Sequence, residues 1–212
     1  MKCAVIIYHS NALKIYKREW IDKCINSIMA QTYKDFNIVE LNYEQSGSAD
    51  FFTKGQLIKK PMTNHTQAMN FLIDYCLADG YDIIFNVNLD DYYAPDRFAK
   101  QIEAIKDGAD LVSSNFQYFS DERGHFKRMD MTRYGNIAIQ LRRNHNVVAH
   151  PVVAYSKKFF NTGLRYKDLV GYEDLDLWKR AHAEGKKITI LADYLLHYRI
   201  HENQITKTFK GL

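Results

Sequence analysis

The segment from Ile83 to Asp91 constrains the fold of this chain most strongly. Residues 83–89 form a largely apolar run typical of buried strands, and the run ends in two adjacent carboxylates, Asp90 and Asp91. Strands buried on both faces belong to parallel sheets that helices cover on each side. Adjacent carboxylates repel each other, and one tends to protonate unless a cation neutralises them. The two acids could simply cap the next helix. Because ligands in open α/β sheets bind beyond the carboxyl ends of strands, they could instead help to bind a divalent cation and a phosphate-bearing substrate.

Strand-like and helix-like segments alternate through the first half of the chain. Short apolar runs predict strands, whereas apolar residues at intervals of three and four predict amphipathic helices. Strands are predicted over residues 3–8, 36–41, 82–89 and 109–115, and helices over residues 17–30, 66–78 and 96–106. This alternation favours a mostly parallel sheet with helices on both faces.

The second half of the chain is less regular. Its predicted elements are a hairpin over residues 116–131, a strand over 147–155, a helix over 174–183 and two short strands over 188–191 and 194–199. No repeat, low-complexity tract or linker divides the sequence. We therefore predict one α/β domain with a mixed second half.

Charge and cysteine content narrow the class of protein. The net charge of +4 comes from short Lys and Arg pairs spread along the chain, so nucleic acid is not an expected partner. The three cysteines lie in apolar segments without a Cys-x-x-Cys pair, which favours a reducing compartment. The sequence has no signal peptide and no stretch of membrane-spanning length. These features predict a cytoplasmic protein, and they are also compatible with a module of a larger multidomain protein.

Three polar clusters are candidates for the chemistry. The sequence contains neither a Gly-x-x-x-x-Gly-Lys-Ser/Thr loop nor a Gly-x-Gly-x-x-Gly motif, which disfavours P-loop and dinucleotide chemistry. Residues 88–91 offer carboxylates that suit Mg²⁺ or Mn²⁺. The acids of residues 171–176 either match the dipole of a helix start or include a general base. Residues 197–204 form either an exposed tail or contacts to a diphosphate and its metal.

Taken in order, six segments of the chain resemble glycosyltransferase family 2, whose members have the GT-A fold. Residues 24–36 resemble the family's helix-to-strand segment, and Leu89-Asp90-Asp91 with residues 95–98 resembles its acidic motif and following helix. The other matching segments are residues 5–11, 68–70, 171–178 and 198–201. The resemblance implies a single GT-A domain with a Rossmann-like, mostly parallel central sheet, in which residues 1–115 bind the nucleotide sugar and residues 116–212 bind the acceptor.

The same resemblance implies an activity. Family members move a sugar from a nucleotide diphosphate donor, usually UDP-linked, to a hydroxyl of a glycan or another small acceptor, with inversion at the anomeric carbon. A Mn²⁺ or Mg²⁺ ion bridges the diphosphate and acts as a Lewis acid on the departing nucleotide.

Roles for individual residues also follow from the resemblance. By position, Asp174 is the catalytic base and Glu173 orients the base or the acceptor. Asp90 is the first candidate for direct metal ligand, with Asp91 in support and His201 as a further contact to the metal or diphosphate. The remaining predicted contacts to the donor are Tyr8, Ser10, Asn42, Gln67, Asn70, Asn88, Asp91 and Arg199.

The chain departs from the family pattern at three positions. Asn88 replaces the first Asp of the acidic motif, which leaves fewer charges for a metal. Asn42 stands where an Asp commonly meets uracil, and Met69 stands where an Arg is frequent.

Two other functions remain open from the sequence. One is a non-catalytic nucleotide-sugar-binding module on a GT-A scaffold. The other is a sugar-phosphate nucleotidyltransferase, which would need a Gly-rich basic loop where this chain has Tyr8-His9-Ser10-Asn11.

Overall fold

The computed structural model describes residues 1–44, 51, 55–169, 171–202 and 204. The strands within these ranges are β1 (Cys3–His9), β2 (Asn37–Asn42), β3 (Gln56–Lys59), β4 (Ile83–Val87), β5 (Tyr92–Tyr93), β6 (Leu111–Ser120), β7 (Gly124–Met129), β8 (Ala154–Ser156) and β9 (Ile188–Arg199). They form one sheet in the order β3-β2-β1-β4-β8-β6-β9-β5, and β7 pairs with β6.

The first half of the sheet is parallel, as the alternating pattern predicts. β1 pairs in parallel with both β2 and β4, and β3 continues the parallel ladder from β2. The carboxyl ends of these strands therefore meet at one edge, where residues 88–91 follow β4. Beyond β4 the sheet is mixed, because β8 is antiparallel to β4 and β6 whereas β9 is parallel to β6. The predicted α/β domain with a mixed second half is confirmed.

The helices in the described ranges are α1 (Ala12–Ile15), α2 (Arg18–Met29), α3 (His65–Ala78), α4 (Arg97–Lys106), α5 (Ile137–Arg142) and α6 (Glu173–Ala183). Apolar spacing predicts four of them, α2, α3, α4 and α6, and their ends shift by one residue at most. α2 buries Trp20, Ile21, Cys24 and Ile28, which share one helical face. Among the helices in the described ranges, none is long and apolar enough to cross a membrane.

The predicted strand over residues 147–155 is wrong for most of its length. The chain forms a 3₁₀ helix at His150–Val152, and only Ala154–Ser156 belongs to the sheet. Pro151 has no backbone N–H to give to a strand ladder, so it favours the first turn of a helix. The apolar run reflects burial of Val147, Val148 and Val152 in the core.

The two short closing strands are in fact one continuous strand, β9. Its pairing with β6 shifts register on both sides of Asn115. Ala192 and Asp193, the residues between the two predicted segments, therefore stay within the strand as a bulge. The hairpin of β6 and β7 is confirmed. The short elements α1, α5, β3 and β5 escape prediction because each is too brief to show a period.

A buried arginine ties the end of β4 to its neighbours. Arg97 Nη2 donates to the backbone carbonyls of Asn86 (2.7 Å) and Val153 (3.3 Å), and Nε donates to Gln101 Oε1 (3.0 Å). The guanidinium also lies over the Tyr93 ring, 4.2 Å from its centroid. These contacts fix the backbone immediately before residues 88–91.

Candidate active site

A cleft of about 530 Å³ opens at the carboxyl edge of β4. Its walls bring together five residues that the sequence places at the site, Tyr8, Asn88, Asp90, Glu173 and Asp174. They come from three distant parts of the chain: the end of β1, the loop after β4 and the start of α6. The fold therefore joins the first two polar clusters in one concave surface, and Tyr198 and Gln204 of the third cluster also line it.

Asp90 and His201 form a pair at the cleft. His201 Nε2 lies 3.1 Å from Asp90 Oδ2, and both side chains are largely buried. The imidazole packs against the rings of Trp20 and Tyr16, while its Nδ1 is buried without a partner among the described residues. The structure thus brings the third polar cluster to the acidic loop.

This pair suits a divalent cation. Carboxylate oxygen is a ligand for Mg²⁺ and Mn²⁺, whereas imidazole nitrogen is a ligand for transition metals and not a preferred one for Mg²⁺. No group of three or more His, Cys, Asp or Glu side chains converges on one point in the described part of the chain. Metals that bind nucleotide substrates often use one or two protein ligands and take the others from phosphates and water. Asp90 lines the cleft and can supply one such ligand, whereas His201 pairs with it from outside the cleft lining that the described residues define.

Asp91 occupies a different position from Asp90. Its Oδ1 accepts the backbone N–H of Arg199 at 2.8 Å, and only 1% of the residue is exposed. Burial, together with the charge of Asp90, raises the pKa of Asp91 well above its usual value. The geometry places Asp91 behind the cleft wall, where it supports the loop instead of facing a cation or donor.

Arg199 also lies behind the cleft. Its Nε donates to the Asp90 carbonyl at 2.8 Å, and Nη1 pairs with Asp121. The guanidinium stacks on the rings of Trp20 and Phe119, 4.6 and 4.4 Å from their centroids. Through these contacts the guanidinium N–H groups fasten β9 to the acidic loop. The geometry therefore does not support the predicted contact of Arg199 with the nucleotide sugar.

Four other predicted donor contacts lie outside the cleft lining defined by the described residues: Ser10, Asn42, Gln67 and Asn70. Asn70 makes two hydrogen bonds to the backbone of Tyr166, at 2.9 and 3.0 Å. Asn42 Oδ1 accepts the N–H of Glu44, and Gln67 Oε1 accepts the N–H of Thr63. Ser10 Oγ accepts from Asn11. Their roles as donor contacts stay predictions.

The two acids at the start of α6 have different environments. Asp174 Oδ2 accepts a hydrogen bond from Asn146 Nδ2 (2.8 Å), and Oδ1 accepts the N–H of Leu175 (2.6 Å). Burial raises the pKa of Asp174 despite these donors. Burial also acts on Glu173, but the hydrogen bond from His65 Nε2 (3.0 Å) lowers the pKa of Glu173 below its ordinary value. Neighbouring acids whose pKa values are pushed apart are a common arrangement for acid–base chemistry.

Sequence reasoning misses His65 and Asn146, two polar residues of the cleft. They face the two acids across separations of 108 and 28 residues, and no local pattern reveals such partners. From the sequence, His150 is a weaker candidate for the site, and a structural role is favoured on general grounds. The structure places it in the cleft lining, where its Nε2 bonds to the Tyr166 hydroxyl at 2.9 Å. Burial lowers the pKa of His150, which favours the neutral ring.

One wall of the cleft is aromatic. Phe116 and Tyr118 of β6 and Tyr198 of β9 line it, and their rings contact one another edge to face or at a tilt. Such walls with a few polar groups are typical of small-molecule sites. The cleft therefore combines polar groups with an apolar surface that can cover one face of a ring.

Comparison with known sequences identifies relatives over most of the chain. The sequence model described as Glycosyl transferase family 2 matches residues 4–164. The O-antigen biosynthesis glycosyltransferase WbnJ of Escherichia coli is 25% identical over 199 residues, which are 90% of this chain and 78% of WbnJ. The amylovoran biosynthesis glycosyltransferase AmsE of Erwinia amylovora is 24% identical over 202 residues, covering 90% of this chain and 74% of AmsE.

Solved structures share the fold. S. aureus TarS in complex with UDP-GlcNAc aligns with a TM-score of 0.71 and 16% identity, covering 100% of this chain and 62% of the TarS chain. The mannosyltransferase PcManGT from Pyrobaculum calidifontis, in complex with GDP-Man and Mn²⁺, aligns with a TM-score of 0.68 and 12% identity. That alignment covers 97% of this chain and 59% of PcManGT. This chain therefore spans less than two thirds of either solved chain.

Proposed function

This chain belongs to glycosyl transferase family 2, and from that membership we propose that it transfers a sugar from a nucleotide diphosphate donor to a hydroxyl of a glycan or other acceptor, with inversion at the anomeric carbon. A UDP-linked donor is our first choice, since TarS is solved with UDP-GlcNAc. The GDP-mannose complex of PcManGT makes a GDP-linked sugar the second donor to test.

The observation that carries the proposal is the placement of Asp174 in the same cleft as Asp90. A general base works best when its pKa lies near the working pH, and burial moves the pKa of Asp174 in that direction. Glu173, held by His65, keeps its negative charge and orients the acceptor or the base. We assign Asp174 as the base on these grounds.

The proposed transfer is a single displacement. Asp174 takes the proton of the acceptor hydroxyl as its oxygen forms a bond to the anomeric carbon. The bond from that carbon to the diphosphate oxygen breaks, and the electron pair leaves with the nucleoside diphosphate. Attack on the face opposite the leaving group inverts the configuration.

We propose that Asp90 and His201 hold a Mn²⁺ or Mg²⁺ ion against the diphosphate. When bound there, such an ion would act as a Lewis acid and stabilise negative charge on the leaving group. Asp91 and Arg199 keep the Asp90 loop in place from behind. Because Asn88 is uncharged, the protein contributes less negative charge to this site than a loop with two facing acids.

The halves of the domain then have separate tasks. We propose that residues 1–115, with Tyr8 at the cleft, bind the nucleotide sugar, and that residues 116–212 bind the acceptor. The aromatic wall of Phe116, Tyr118 and Tyr198 comes from the second half and offers an apolar surface to a sugar ring.

A donor panel tests the proposal. Purified protein is incubated with UDP- and GDP-linked sugars, with and without Mn²⁺, and the released nucleotide is measured. We expect release that depends on Mn²⁺ with at least one donor, and NMR of the product to show the inverted anomer. Tight UDP binding that ignores Mn²⁺, with no turnover of any donor, would instead support a non-catalytic binding module.

A further inference from the structure

The side chain of Asn146 is the feature with the least obvious role in the cleft. It lies on the segment between α5 and the 3₁₀ helix at His150–Val152, and it lines the cleft together with Asp174. The Asn146 side chain does not ionise near neutral pH, so it can serve neither as a general acid nor as a general base. Its amide nitrogen nevertheless points at the carboxylate of Asp174, at 2.8 Å.

The orientation of this amide is set by a second contact. Asn146 Oδ1 accepts the backbone N–H of Val148 at 3.2 Å. Because the amide oxygen accepts this N–H, the NH₂ group of the same side chain points away from Val148. The donor therefore faces Asp174 Oδ2, while Oδ1 of the same carboxylate is held by the N–H of Leu175. Two donors, one on each oxygen, restrict rotation of the carboxylate.

Asn146 shares the stabilisation of the Asp174 charge with two other groups. The His150 ring, when protonated, and the N–H of Leu175 both lower the pKa of Asp174, but burial lowers the pKa of His150 itself, which favours the neutral ring. The hydrogen bond from His65 lowers the pKa of Glu173, and the negative charge of Glu173 raises the pKa of Asp174. Burial also raises the pKa values of the nearby phenols, which stay uncharged. The titratable groups around Asp174 are His150, Glu173, Tyr8, Tyr155 and Tyr166, with His65 behind Glu173.

We propose that Asn146 is a positioning residue, whose amide holds the Asp174 carboxylate toward the cleft and stabilises its ionised form. The inference rests on the proposed function, in which Asp174 is the base. It assigns no contact between Asn146 and the substrates. A hydrogen bond to an ionised partner is stronger than one between neutral groups, so its loss favours the protonated acid.

The experiment measures the titration of Asp174 directly. The carboxyl ¹³C shift of Asp174 is followed against pH in the wild type, Asn146→Ala and Asn146→Asp, and kcat is measured over the same pH range with the donor that the panel identifies. Asn146→Ala removes the donor. Asn146→Asp keeps the shape but replaces the donor with a negative charge.

We expect both variants to raise the titration midpoint of Asp174, by about one to two pH units in Asn146→Ala. The acidic limb of the pH–rate profile should also move upward, so that activity recovers as the pH is raised. Asn136→Ala is the matched control, because this exposed residue caps the start of α5 through the N–H of Ile139 and lies outside the cleft lining. It should leave the midpoint unchanged.

Two results would overturn the inference. One is a midpoint that does not move in either variant at position 146, and the other is an equal shift in Asn136→Ala, which would indicate general loosening of the segment. The variant Asp174→Asn separates this outcome from failure of the proposed function. If Asp174→Asn is inactive while Asn146→Ala titrates normally, only the role of Asn146 is lost; if Asp174→Asn is fully active, the base assignment itself is wrong.

Discussion

Replacing Arg199 with Met should destabilise the protein instead of merely weakening donor binding. The change keeps a long apolar side chain against Trp20 and Phe119 but removes the guanidinium that contacts the Asp90 carbonyl and Asp121. If Arg199 anchors β9 to the acidic loop, these contacts are lost whether or not any substrate is present.

The structure gives the size of the effect. A hydrogen bond from a charged donor is worth about 1.5–3 kcal/mol. The ion pair with Asp121, whose side chain is 41% exposed, adds at most about 1 kcal/mol. The two ring contacts add roughly 0.5–1 kcal/mol each. Together they predict a loss of about 2.5–6 kcal/mol, and for a chain of this size Tm should fall by roughly 5–24 °C.

Thermal and urea unfolding of the substrate-free protein provide the assay. Arg18→Met is the control, because Arg18 forms an exposed pair with Asp22 within α2 and should cost less than about 1 kcal/mol. Arg199→Lys should fall between the wild type and Arg199→Met, since an ammonium keeps the charge but not the fork. A Tm within about 3 °C of the wild type in Arg199→Met, combined with a raised KM for the donor, would refute the anchor and restore Arg199 as a diphosphate contact.

Two further predictions concern acids near the cleft, and a third concerns His197 in β9. Asp90→Ala should abolish the Mn²⁺ dependence of nucleotide binding in calorimetry. Asp91→Asn should retain most of it, because Asp91 faces away from the cleft and an amide oxygen can still accept the Arg199 N–H. Equal losses in the two variants would contradict these different roles. Burial, with the nearby His125 and Lys23, lowers the pKa of His197 to about 4, below the value of about 6.5 expected in the unfolded chain. The unfolded state therefore binds the proton first, and stability should be lost as the pH falls from about 6.5 to 4; urea midpoints of His197→Phe should decline less over that window. Because burial raises the pKa of Asp174, kcat should increase with pH through a midpoint above the ordinary aspartate range near 3.9; a rate that is flat from about pH 4 upward would exclude this base.

The sequence predicts the first half of this fold well because its strands and helices are long enough to show a period. α2, α3 and α4 bury one face each, and β1 and β4 are continuous apolar runs. The second half is harder because burial there does not coincide with regular structure. The run at 147–155 is apolar and buried, yet Pro151 turns part of it into a 3₁₀ helix.

Some residues of the candidate site are predictable from local sequence patterns, and others are not. Asp90, Glu173 and Asp174 stand in local patterns, at a strand end and a helix start, and all three reach the cleft. Asp91 is adjacent to Asp90, but successive residues at a turn point in different directions, and the sequence does not indicate which of the two faces the ligand. Asn146 acts through a contact that only the fold creates, so no local pattern predicts it.

The assignment of Asp174 as the general base is tested most directly by the rate of sugar transfer in Asp174→Asn at saturating donor and Mn²⁺. Asp176→Asn serves as the comparison, because Asp176 lies in the same helical turn but pairs with Arg180. Removing a general base typically lowers a rate by about 10²–10⁴-fold. If Asp174 is the general base, Asp174→Asn should lose transfer in that range while Tm and nucleotide affinity stay unchanged, and Asp176→Asn should transfer at near the wild-type rate. Transfer by Asp174→Asn within about threefold of the wild type, far short of the loss that removal of a base causes, would contradict the central claim.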